Sequence, residues 1–279
     1  MGTPINGIMN ANGTSISERG SFCALSGGLL PPPNAAWSQL LNGWKQQVRA
    51  SHTVTANALS NVVGGWYERL LAISAWNYRL ANPQALMAVP LPNITQFEVM
   101  SLYLQPLYQQ IVDFRTKVLE FNVRLITSNP DFALINTSGM TLPPSFGQPI
   151  TTVDLAALNA LETAYQAFVG QCDFQRIVGY MSAKTSLRPD RRLQIAHEGS
   201  LMKALYTHLQ TRQWMLTAPG LKYYGVSTRV RPSDEVALST VATPSIITVG
   251  TAPQRAVDGV FAVDSTSQAE AVFAQILSA

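Results

Sequence analysis

The chain has 279 residues, 47% of them hydrophobic and 13% charged, with a formal net charge of +3. That length supports one sizeable core plus an appendage or a second small unit. The balance excludes a histone-like polycation, so any nucleic-acid contact must be local. No apolar run reaches the roughly eighteen residues that span a bilayer, so no membrane partner is expected. Charged residues are scarce while Ala, Thr, Ser, Asn, Gln and Pro abound, a composition that suits self-association. Cys23 and Cys172 lie far apart in the chain and fit ordinary thiols of a reducing compartment. Position six is Asn rather than the Ser or Thr that a myristoylation signal prefers, and the Asn-x-Ser/Thr matches at Asn12, Asn93 and Asn136 are read as chance.

Residues 1–33 are rich in Gly, Ser and Asn, end in Pro31, Pro32 and Pro33, and read as an extended arm. Asn34 then caps a helix whose apolar stripe is Trp37, Leu40, Leu41, Trp44 and Val48. A second helix is predicted from Thr53 through Leu71, with Gly64 and Gly65 as a weak point. Pro83, Pro90 and Pro92 make 81–96 a turn-rich connection or a short strand. The strongest helical pattern follows, with Leu104, Leu107, Tyr108, Ile111, Phe114, Val118, Phe121 and Leu125 in register and Asn129-Pro130 as its stop. Residues 128–151 are a long Pro/Gly-rich connection, of a length that usually means function or disorder. A fourth helix begins at Thr151 or Thr152, with Asp154 in its first turn and Leu155, Leu158, Leu161, Tyr165 and Phe168 on one face. Beyond Tyr180 come a basic stretch around Arg188–Arg192, a helix from Arg191 to Met215, an extended or strand-like region over 221–263, and a short helix over Ala269–Leu277.

The four-helix segment resembles the coat proteins of rod-shaped plant RNA viruses, the tobacco mosaic virus type. The resemblance is carried by Leu104-Gln105-Pro106-Leu107 and by the run from Val112 to Asn122, which contains Asp113, Arg115, Lys117 and Glu120. Ala36-Trp37, Thr53 to Asn57, Trp66, Pro92 and Phe97 follow in the family's order. Asn129-Pro130-Asp131-Phe132-Ala133-Leu134-Ile135 is similar to a segment of benyvirus coat proteins. The fold implied is mainly α: a four-helix bundle over 34–180, preceded by the arm 1–33 and followed by an irregular, extended C-terminal extension, 181–279, on the outer surface of a rod. The function implied is a capsid protein that self-assembles into a helical virion. Its partners would be single-stranded RNA and further copies of itself as a helical homopolymer, with no small-molecule substrate. Its place would be the virion, and the host cytoplasm during assembly.

The resemblance further implies that Arg115 and Lys117 neutralise phosphates while Asp113 orients one of them or bonds a ribose hydroxyl. A solvated helix face is the plain alternative. Thr53, Thr55 and Asn57 offer short polar contacts at a helix start, and Asp154 stands where the family sets a carboxylate against the sugar edge. Capping and helix-dipole compensation explain these residues as well. Glu120, with Glu68 as a looser candidate, would belong to carboxylates that repel one another between subunits, so that protons or a weakly held calcium favour assembly. No other cofactor and no metal site is expected. The sequence departs from the family in having Gln105 at the partner acid, Asn57 at an arginine, and no Lys or Arg between Arg124 and Arg176.

The three histidines, His52, His197 and His208, show no metal-ligand spacing, and no Gly-x-Ser-x-Gly, Walker or dinucleotide fingerprint occurs, so a non-enzyme is expected. The alternatives are a non-enzymatic viral scaffold or clamp protein that forms no rods, and a bead-like nucleoprotein, which would want a deeper basic groove.

Overall fold

The computed structural model describes residues 7–10, 15–127, 129–215, 217–247 and 253–278. Parts of the expected arm (1–6 and 11–14, with Asn12), Ser128 at the start of the long connection, and 248–252 within the expected extended region lie outside these.

In chain order the elements are α1 (Glu18–Ser26), α2 (Trp37–Ser51), α3 (Ala56–Ala81), β1 (Met87–Pro90), α4 (Gln105–Leu119), β2 (Phe132–Ile135), α5 (Leu155–Thr163), β3 (Ile177–Lys184), α6 (Pro189–Arg212), β4 (Lys222–Ser227), α7 (Pro232–Leu238), α8 (Thr243–Ile247), β5 (Gly259–Ala262) and α9 (Thr266–Ile276). The strands form one sheet in the order β1-β2-β3-β4-β5. The pairs β1/β2 and β2/β3 are antiparallel, and β3/β4 and β4/β5 are parallel. Parallel neighbours need a crossover. Here α6 spans β3 to β4, and α7 and α8 lie between β4 and β5. Helix α3 packs on β1, β3 and α9, while α6 packs on β3 and β4.

This mixed sheet with helices against it corrects the expected mainly-α bundle. Two helices open on side-chain caps, Thr55 Oγ1 accepting from Ala58 N at 3.2 Å at α3 and Asp154 Oδ1 from Ala157 N at 2.8 Å at α5, whereas α2 opens at Ala36 without a side-chain cap and not at the expected Asn34. The strand-like region 221–263 does hold β4 and β5, but burial hides β2 inside the expected connection. Phe132–Ile135 is buried at every position, and a short apolar run buried on both faces shows no alternation to separate it from helix or connection. The boundary drawn at 180/181 falls inside β3, whose register pairs Tyr180 with both Ala133 and Tyr223. The strongest predicted helix ends at Leu119 rather than running on to Leu125, because Asn122 turns into the left-handed region at φ +57°.

The sheet register decides the rest. Phe132 stands opposite Met181, which brings the residue before β2 to the C-terminal end of β3. The backbone carbonyl of that residue, Asp131, accepts from Leu91 N at 2.9 Å and so extends the β1/β2 ladder by one step.

Candidate active site

At this corner of the sheet one carboxylate oxygen, Asp131 Oδ2, accepts three hydrogen bonds. They come from Ala183 N at 2.6 Å, Lys184 Nζ at 2.8 Å and Ser182 Oγ at 3.1 Å. Lys184 is the last residue of β3, and its side chain, like that of Asp131, is largely buried. Burial opposes the charge of Lys184, but Asp131, by charge and hydrogen bond, and then Glu68 and Glu198 outweigh it, and the ammonium is held above its ordinary range.

Glu68 comes from α3 and lines the same corner. Burial, followed by the repulsion of Asp131, pushes its carboxyl up to about 8, against the opposing attraction of Lys184. Glu198 comes from α6. It is buried, and both of its oxygens are held: Gln194 Nε2 donates to Oε1 at 2.9 Å and Tyr223 OH donates to Oε2 at 2.8 Å.

A cavity of about 330 Å³ opens beside Glu68 and Asp131, walled by Arg69, Glu162, Pro92 and Asn93 among others. Its far wall is a charge network across three helices. Arg69 binds Glu18 of α1 and, at 2.6 Å, Glu162 of α5, while Arg19 reaches Glu162 at 3.2 Å. Gly65 leaves the room that the Glu18 carboxylate occupies, since a Cβ there would collide with it. The arrangement is therefore a strand-end carboxylate and lysine, with further carboxylates delivered by two helices, beside an open cavity. Carboxylates can ligate a hard cation in pairs, and an ammonium can meet phosphate charge.

The sequence pattern of the Cfr10I/Bse634I restriction endonuclease family matches residues 37–279. The type II restriction enzyme Cfr10I of Citrobacter freundii is 38% identical over 254 residues, covering 87% of this chain and 88% of that enzyme.

The chain belongs to the Cfr10I/Bse634I restriction endonuclease family.

The fold agrees. The crystal structure of the type IIF restriction endonuclease Bse634I with cognate DNA superposes with a TM-score of 0.86 at 29% identity, over 96% of each chain. A second Bse634I structure gives 0.86 at 30%, over 97% of this chain and 96% of that one. Membership overturns the coat-protein reading and with it the virion, the host cytoplasm, the helical homopolymer and the single-stranded RNA partner. The scaffold or clamp alternative falls too, as does the expected non-enzyme, since the relatives are enzymes by name.

The residues singled out for RNA lie apart from the Asp131 corner, in capping or surface positions. Arg115 is paired with Glu98 and donates to Thr127 Oγ1 at 3.0 Å, so its cation is already engaged; the Glu98 hydrogen bond chiefly raises its pKa. Lys117 is exposed in the last turn of α4, and Asp113 accepts from Gln109 at 2.9 Å. Thr53 and Asn57 are exposed on either side of the capping Thr55. Asp154 caps α5, and the Ala157 N–H holds its carboxyl below the usual range. Glu120 is exposed at the C-terminal cap of α4. Of the carboxylates proposed to repel one another, Glu68 alone enters the cluster, and the neighbour that repels it is Asp131 of the same chain.

Sequence reasoning gave no catalytic role to Asp131, Lys184 or Glu198. The available signal was thin: Pro130-Asp131 opening one apolar run and Ser182-Ala183-Lys184 closing another, 53 residues apart. Glu198 sits mid-helix without any local mark.

Proposed function

We propose that the chain is an endonuclease that hydrolyses phosphodiester bonds of double-stranded DNA, with Asp131, Lys184, Glu68 and Glu198 as its centre. The observation that carries this is the convergence of those four charged side chains, from two strand ends and two helices, into one electrostatically coupled group. Membership in a restriction endonuclease family, and the cognate DNA in the Bse634I crystal structure, support duplex DNA as the substrate.

The cluster fits a hard divalent cation such as magnesium. Glu68 is held protonated to about pH 8 by burial and by Asp131, a repulsion that a bound cation would relieve. Among the described residues no three His, Cys, Asp or Glu side chains stand close enough together to ligate one ion. A magnesium ion commonly takes only one or two carboxylates and completes its shell with water and substrate phosphate. Asp131 and Glu68 are the residues that would hold it, with Glu198 in reserve. When bound, the ion supplies Lewis-acid stabilisation of phosphoryl charge and lowers the pKa of water.

The chain's own groups do the rest. The Lys184 ammonium is fixed at the site by Asp131 and is placed to meet the negative charge that grows on the phosphate oxygens during attack. Ser182 and Ala183 keep the Asp131 carboxylate in one orientation. Five residues beyond Ala183, Arg188 stands at the N-cap of α6, and Asp190 and Arg191 lie in its first turn. Arg188 and Asp190 are 65% and 61% exposed, whereas the neighbouring Arg192 is tied to the buried Asp234 at 3.2 Å. Exposed arginines beside a carboxylate can read guanine and cytosine edges in a major groove. We assign the start of α6 to that task.

The test is incubation of the chain with duplex DNA of varied sequence and magnesium or manganese. Discrete fragments from the natural chain, with Asp131→Asn binding duplex but not cutting it, are expected. Failure of the natural chain to cut any duplex with either ion would overturn the assignment.

A further inference from the structure

Asp131 and Lys184 stand on strand ends, but Glu198 reaches the centre from a helix, so its carboxylate is only as well placed as α6 is seated on the sheet. A closed polar loop seats it. From α6, Glu198 Oε2 accepts from the Tyr223 hydroxyl at 2.8 Å; the Tyr223 backbone N–H donates to Asp258 Oδ2 at 2.7 Å; and Asp258 Oδ2 lies 2.7 Å from Nζ of Lys203, which is again on α6. Lys203 is buried and also donates to the Arg255 carbonyl at 2.5 Å. Beside Glu198, Gly199 lets α6 come down onto β4, because a Cβ there would meet the Ala256 carbonyl and the Tyr223 ring. Tyr223 itself is fully buried and paired with Tyr180 of β3 in the sheet register.

We propose that Tyr223 is a positioning residue for Glu198, fixing the helix-borne carboxylate at the strand-borne pair through its hydroxyl, while Gly199 and the Lys203–Asp258 pair set the helix height. This rests on the reading of Glu198 as part of a DNA-cleaving centre. Burial first, and then the Glu198 charge, keep the Tyr223 phenol protonated well above its ordinary range, so it remains a donor throughout the working pH range. Among the described residues the other donor to Glu198, Gln194, rides on the same helix and cannot register it against the sheet.

The experiment compares Tyr223→Phe, Gly199→Ala and Glu198→Gln with the natural full-length chain on a plasmid that the latter cuts. Tyr223→Phe removes one oxygen and keeps the ring. Its single-turnover rate should fall roughly ten- to a hundredfold, as for partners of metal-site ligands. The magnesium concentration at half-maximal rate should rise, while duplex affinity in calcium stays unchanged. Without DNA, calorimetric magnesium affinity should fall in parallel, by a similar factor. Gly199→Ala should move rate and magnesium dependence the same way. The proposal is overturned if Tyr223→Phe cuts at the natural rate with unchanged magnesium dependence and unchanged calorimetric magnesium affinity. If that variant does not fold, Gly199→Ala cutting at the natural rate overturns it. A natural chain that cuts, a dead Glu198→Gln and an unimpaired Tyr223→Phe would sink the positioning role alone. Glu198→Gln cutting at full rate would sink the reading beneath it.

Discussion

Lys184 Nζ stands 2.8 Å from Asp131 Oδ2, although 53 residues of sequence separate the two. The same oxygen holds the Ala183 N–H at 2.6 Å, so the carboxylate is gripped by the backbone of the strand that carries the lysine. The β2/β3 register makes this contact, and no local feature of either segment does. A pair held this way keeps its geometry without substrate, which is the preorganisation that charge stabilisation in a transition state requires.

Removing either partner should stop the chemistry and spare binding. Asp131→Asn and Lys184→Ala are each expected to lower single-turnover DNA cleavage by at least about a hundredfold. Gel-shift affinity for duplex in calcium should be retained. A cleavage rate within a few-fold of the natural one for either variant would remove that residue from the centre.

Glu68 should make stability depend on pH. Its carboxyl is raised from 4.5 to about 8 in the folded chain, so between those values the folded state holds a proton that the unfolded chain has released. Stability therefore declines as pH rises through that window. Glu68→Gln removes the liability. Its melting temperature without divalent cations should exceed the natural chain's by a few degrees near pH 8, and the difference should close near pH 5. Parallel melting curves across that range would contradict the placement of Glu68 against Asp131.

The same proton must leave when a cation takes its place. Calorimetric magnesium affinity should rise with pH below about 8, by up to about tenfold per unit where one proton is released. Measurement in two buffers of different ionisation heat would count that proton. In Glu68→Gln the pH dependence should flatten, and an unchanged slope there would place the proton elsewhere.

Arg69 is 12% exposed and bridges Glu18 and Glu162 beside the cavity. Burial works against its charge, but the two glutamates outweigh it and hold the guanidinium above its ordinary range. Arg69→Leu strands Glu18 and leaves Glu162 with Arg19 alone. Because Glu18 is 40% exposed and can recover water, the loss should fall at about 2–3 kcal/mol, below the usual cost of breaking a fully buried pair. Urea denaturation measures it, and a loss under about 0.5 kcal/mol would show the network to be superficial.

Arg188→Ala and Arg191→Ala should each weaken duplex binding by about 1–3 kcal/mol if they contact bases, and should relax the sequence preference of cleavage. A uniform loss across all sequences, with a shallower salt dependence, would make them phosphate contacts instead.

Local chemistry in the sequence determined where several helices start. The Thr55 and Asp154 caps and the apolar stripe of Trp37, Leu41, Trp44 and Val48 act within one or two turns, and their residues show it. The spacing that made Arg115, Lys117 and Asp113 look like an RNA-binding face is equally that of an ordinary helix surface. Folding instead ties Arg115 to Glu98 and leaves Lys117 in solvent. The strand-like character of 221–263, which holds β4 and β5, and the short-strand option within 81–96, which holds β1, are legible in the sequence. In contrast, β2 and β3 and the single sheet that joins all five strands are not, because short buried runs carry no periodic mark. The site needed more still: register to bring Asp131 to Lys184, α3 to add Glu68, and a helix seated through Gly199 and Tyr223 to add Glu198. Charges that act together across the sheet come from segments far apart in the chain, and only tertiary packing sets the distances on which their chemistry depends.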